Sequence, residues 1–143
     1  GWGGSNTGSG SVTGMPLTYL NWPGNNTGTG SVAGMSLTVL RWGGNNTGTG
    51  WGAVAATATG LCQMTHGGLT VLDSAEVNAI LAGFWANRDA AKSRGERIID
   101  IGKDTPTPNG APTGQGITDK AALQAYRSPN PPGTAALWTV TTN

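Results

Sequence analysis

The chain has 143 residues, a formal net charge of +1 and only 10% charged residues, well under the roughly 25% of an average soluble domain. That length bounds one domain with a modest core, and that charge gives neither a basic field for nucleic acid nor a polybasic membrane patch. The single cysteine, Cys62, excludes an intramolecular disulfide framework and a cysteine-rich metal site, and no apolar run reaches the ~18 residues of a membrane span.

The opening Gly1-Trp2-Gly3-Gly4 matches the middle of a later stretch, Arg41-Trp42-Gly43-Gly44, without the apolar residues that precede it there. The first unit is therefore expected to be incomplete, with Trp2 as the stacking contact for whatever covers that end. Leu17-Thr18-Tyr19-Leu20-Asn21-Trp22-Pro23-Gly24-Asn25-Asn26-Thr27-Gly28 then recurs twenty positions later, from Leu37 to Gly48. A fixed period near twenty marks stacked units, each burying its apolar side against its neighbours.

Aligning the units puts Trp2, Trp22, Trp42 and His66 in one column, Leu20, Leu40 and Met64 in another, and Leu17, Leu37 and Leu61 in a third. The alternation in Leu-x-Trp predicts strands with one buried face. Residues between the inward positions then point outward: Tyr19, Asn21, Val39, Arg41, Gln63 and Thr65, and further along Asp100 and Thr139. Gly-Asn-Asn-Thr-Gly after each strand is turn chemistry, and 12–15 and 32–35 return the chain along the opposite side. The last step lengthens to 24 residues to accommodate 51–56, where Trp51 has no counterpart in the Trp columns and is expected on the other side, at a partner contact.

From residue 73 the connections change character. Ser74 reads as an N-cap, and Val77, Ile80, Leu81 and Phe84 recur at helical spacing through 75 to about 91. Arg97-Ile98-Ile99-Asp100-Ile101 reads as a strand and Pro106 to Pro112 as a loop. Thr118 reads as the cap of a second helix, 119 to about 126, with Asp119 favourable at its positive end. A Pro-rich excursion leads to a last strand, Trp138-Thr139-Val140-Thr141. Helical crossovers between parallel strands are the expected arrangement.

Leu-x-x-Leu-x-Trp-x-x-Asn resembles the leucine-rich repeat family, with Trp22 and Trp42 where a third Leu is usual. In that family an asparagine ladder bonds the backbone of adjacent turns, and the resemblance assigns that role to Asn25 and Asn45. Both also open an Asn-Asn-Thr glycosylation sequon, but a ladder residue would point inward, so the structural role is preferred. The segment from Asn109 to Ala125 with the closing Trp138 to Asn143 is similar to the C-terminal end of leucine-rich-repeat-like proteins of tailed bacteriophage virions and some environmental bacteria. Against that pattern, 126–137 looks like an inserted loop.

Catalytic chemistry finds little support. His66, the only histidine, lies in an inward column and reads as packed. Asp73 and Ser74 read as a helix entry, and Glu76, Asp89 and Glu96 as a solvated face. Asp100 and Asp104 lack a second fixed carboxylate for a glycosidase pair. Gly-Gly-Asn-Asn-Thr-Gly-Thr-Gly lacks the Lys-Ser/Thr ending and following helix of a phosphate loop, whereas 113–116 does open a helix and is a minor anion-binding candidate.

The sequence therefore predicts an α/β fold, a short leucine-rich-repeat-like solenoid with a parallel sheet of about five strands, closed at its C-terminal end by two helical crossovers. Residues 1–72 carry the repeat units and 73–143 the cap of the same domain. The expected function is non-enzymatic: a structural or receptor-recognition component of a bacteriophage particle, in a fibre, spike or capsid decoration. The alternative is a bacterial surface or secreted adhesion module, one form of which stacks into filaments. The exposed sheet face, Tyr19, Asn21, Arg41, Gln63, Thr65 and Asp100, is the expected binding surface. Expected partners are other virion proteins or further copies of the chain at the N-terminal end, and a host-surface glycan or protein. No cofactor, metal, nucleic acid or membrane insertion is expected, and the location is the virion or, in the alternative, the cell exterior.

Overall fold

A computed structural model describes residues 12–22, 29–90, 97–103, 107–126 and 138–143. Five strands, β1 (Tyr19–Trp22), β2 (Val39–Gly43), β3 (Gln63–Gly67), β4 (Ile98–Asp100) and β5 (Thr139–Thr141), form one sheet in the order β1-β2-β3-β4-β5. Every pairing is parallel. Three helices, α1 (Trp51–Thr57), α2 (Ser74–Ala86) and α3 (Gln115–Ala125), lie in the connections. The fold is thus α/β, with three helices among the described residues where two were expected. The extra one is α1, built from the residues that lengthen the third unit.

The register follows the sequence columns. Leu20 sits beside Leu40, Leu40 beside Met64, Met64 beside Ile99 and Ile99 beside Val140. Trp22, Trp42 and His66 make a second inward row. These side chains share one continuous core with Val54 and Ala55 of α1, Val77, Ile80, Leu81 and Phe84 of α2, and Leu123 of α3. The helices therefore cover the face that carries the leucines, and Cys62 is buried with them.

Trp51 is a correction. It is fully buried at the start of α1, wedged edge-on between Trp42 at 5.2 Å and His66 at 4.7 Å, in a column that includes Trp22, 5.0 Å from Trp42. Each T-shaped contact sets the positive edge of one ring against the negative face of the next. Histidine is smaller than tryptophan, and a helix residue fills the space that a fourth strand tryptophan would have occupied.

Helix starts also differ from expectation. Asp73, not Ser74, caps α2, its carboxylate accepting from the Glu76 amide at 2.8 Å; α2 ends at Ala86, with Asn87 as its C-cap. Glu76 does not belong to a solvated face, since its Oε1 accepts from the Gly52 amide at 2.9 Å and ties α1 to α2. α3 begins at Gln115, a turn before the expected Thr118. Asp119 is consequently inside the helix and buried, accepting from Gln115 Nε2 at 3.0 Å.

A second set of backbone bonds runs down the flank. Val12 donates to Thr29 O, Thr49 to Gly30 O and Val32 to Thr49 O, around a parallel bridge between Ser31 and Thr49. Each repeat unit is therefore joined to its neighbour at two places, the sheet and this strip.

Candidate functional site

Parallel pairing places the outward residues in two rows across the sheet. One runs Tyr19, Val39, Gln63, Ile98, Thr139, and the other Asn21, Arg41, Thr65, Asp100, Thr141. The structure therefore brings all six expected face residues together on one side of the sheet, opposite the helices. Tyr19 and Arg41 are exposed, while Asn21, Thr65 and Asp100 are half-buried.

Gln63 is a correction, because it is only 6% exposed. Its Oε1 accepts from Arg41 Nε at 3.2 Å and from Arg41 Nη2 at 2.8 Å. It supports the arginine instead of meeting a ligand itself. A long side chain held by two bonds to one acceptor loses most of the rotamer freedom that otherwise opposes binding.

The asparagine assignment is also corrected. Asn45 is exposed at the turn, and the inward residue is its neighbour Asn46, 0% exposed. Asn46 Nδ2 donates to Trp22 O at 3.1 Å in the preceding unit and to Gly43 O at 2.6 Å in its own. At this turn the bond to the neighbouring unit is made one residue later than expected, leaving the sequon acceptor facing solvent. Asn25 and Trp2 lie outside the described residues, as do 127–137 of the expected inserted loop.

Related bridges at the same ends of later strands escaped the sequence reading. Asn109 donates to Ile101 O at 2.8 Å and accepts from the Leu72 amide at 2.9 Å. Asn143 accepts from the Lys103 amide at 2.7 Å and donates to Lys103 O at 2.7 Å and Asn109 O at 2.9 Å. The buried Lys103 ammonium donates to Gly68 O. No periodic spacing announces these residues, because the connections before and after β4 have unequal lengths.

His66 is 2% exposed, and neither ring nitrogen has a hydrogen-bond partner among the described residues. Burial, with a smaller contribution from the positive charge of Lys103, lowers its pKa to about 4. Burial also lowers the pKa of Lys103. A neutral imidazole enclosed by indoles can neither reach a substrate nor pass a proton to one. At the start of α3, the Thr113 amide is occupied by Asn78 Oδ1 at 3.0 Å, so that loop is docked on α2.

Among the described residues no three His, Cys, Asp or Glu side chains converge as metal ligands, and no helix is long and apolar enough to cross a membrane. A concavity of about 510 Å³ lies on the flank among Thr13, Thr29, Ser31, Thr47, Thr49 and Thr70. No protein-family model matches the chain, and no curated protein or solved structure shows significant similarity to it.

Proposed function

We propose that the chain is a short leucine-rich-repeat-like solenoid that serves, without catalysing a reaction, as a structural or receptor-recognition component of a bacteriophage particle. The observation that carries this reading is the outer sheet face. Two side-chain rows cross five parallel strands in register, with mixed polar groups and a preset arginine. Stacked-unit scaffolds use such faces for binding. The twenty-residue shift between β1 and β2 supports the solenoid, and the enclosed His66 supports a non-catalytic role. The resemblance of 109–125 and 138–143 to virion proteins supplies the setting. An exported adhesion module would use the same face in the same way, and the exposed sequon residue Asn45 suits that second setting.

Electron microscopy and peptide mass analysis of particles produced by the source organism separate the two. A virion component appears at a constant copy number per particle that matches a symmetry of the capsid or tail. Recovery of the chain only from the cell envelope or medium, with none in purified particles, overturns the virion assignment in favour of adhesion.

A further inference from the structure

The outer sheet face holds one arginine whose geometry is set before any ligand arrives. Gln63 Oε1 occupies the Nε and Nη2 edge of Arg41. The opposite edge, one N–H from each Nη, has no partner among the described residues. That edge fits a planar bidentate acceptor, and a carboxylate matches it in both shape and charge. The carboxylate of the same row, Asp100, lies two strands away, roughly 10 Å by strand spacing. At physiological salt the Debye length is about 8 Å, so Asp100 does not neutralise Arg41.

The neighbours of Arg41 narrow the ligand further. Asn21 and Thr65 flank it directly in the row and supply uncharged donors and acceptors. Tyr19, 44% exposed, sits two residues before Asn21 on β1, with its Cα roughly 8 Å from that of Arg41 by strand geometry. An exposed tyrosine ring offers an apolar face with a polar tip. A carboxylate beside hydroxyls and an apolar ring face is the chemistry of an acidic sugar. We infer that Arg41, positioned by Gln63 and flanked by Asn21, Thr65 and Tyr19, forms a subsite for the carboxylate of an acidic glycan, of the uronate or sialate type. This rests on the recognition reading above and names its ligand class.

The test is an NMR titration of the full chain with tetragalacturonate and sialyllactose, set against neutral maltotetraose and lactose and against tetraglutamate. The inference expects the two acidic saccharides to shift the amides of β1 and β2. Arg41→Lys, which keeps the charge but loses the fork, and Arg41→Met should each weaken them at least tenfold. Gln63→Leu should weaken them severalfold while Arg41 remains, and unfolding curves verify that each variant folds. Three results overturn it: acidic saccharides bound equally well by Arg41→Met, equal binding of the neutral saccharides, or equal binding of tetraglutamate. Absence of all binding also overturns it, while leaving the chain's place in or out of particles to the microscopy. Failure of the subsite and failure of the virion assignment are thus separate results.

Discussion

His66 occupies a column otherwise made of tryptophan, and its ionisation is the sharpest consequence of that position. In the unfolded chain its pKa is near 6.5, and in the folded protein it is about 4. Between those values the unfolded state binds a proton that the folded state refuses, so stability is full above pH 6.5 and falls as the pH drops toward 4. The shift corresponds to about 3 kcal/mol. Denaturant midpoints measured from pH 7 to 4 should decrease accordingly, and His66→Phe, which keeps a ring against Trp51, should remove that part of the slope. Asn46 makes a second residue-scale test. Asn46→Ala removes the donor from the buried bond to Trp22 O and the part-buried bond to Gly43 O and should cost roughly 2–4 kcal/mol, whereas Asn45→Ala at the exposed turn should stay within about 0.5 kcal/mol. Equal effects in urea unfolding would contradict the inward assignment of Asn46. The repeat pattern shows an Asn pair in each turn but not which member turns in, because that depends on the backbone path after the strand.

At the scale of elements, α1 and α2 approach more closely than two ordinary helices can. A Cβ on Gly83 would lie 2.6 Å from the Ala55 carbonyl carbon and from the Ala56 nitrogen, and one on Gly52 would lie 2.6 Å from the Ala79 Cβ. Gly83→Ala gains about 1 kcal/mol of helix propensity but collides with backbone that cannot rotate away. Overpacking costs typically 1–3 kcal/mol, and direct conflict with main chain belongs at the upper end. Gly83→Ala should therefore lower the stability read by thermal unfolding by about 1–2 kcal/mol net. The apolar spacing of α2 was legible from Val77, Ile80, Leu81 and Phe84, all buried. α1 was not: Trp51 to Thr57 is seven residues long, too short to show a helical period, and it is held by its packing on the sheet and on α2. The starts of α2 and α3 were displaced by one to a few residues for a related reason. Asp73 and Ser74 are both good caps, and the turn at 113–116 is decided by its docking on Asn78.

For the molecule as a whole, the sequence by itself determined the registers of β1 to β3 and the two faces of the sheet. A strict period places chemically equal residues on equal rungs, and the pleat sends alternate side chains to opposite sides. Leu20, Leu40 and Met64 inward, and Tyr19, Asn21, Arg41 and Thr65 on the outer face, follow from that alone. Only the tertiary structure decided what lies between the rungs. It put Trp51 into the indole column, Lys103 under Gly68, and Asn109 and Asn143 across neighbouring strand ends. It also set Gln63 beneath Arg41, turning a row of polar residues into one oriented guanidinium. These contacts join positions 8 to 40 residues apart in unequal connections. No local periodicity encodes them, because each is selected by the space and the unpaired backbone groups that appear only when the units stack.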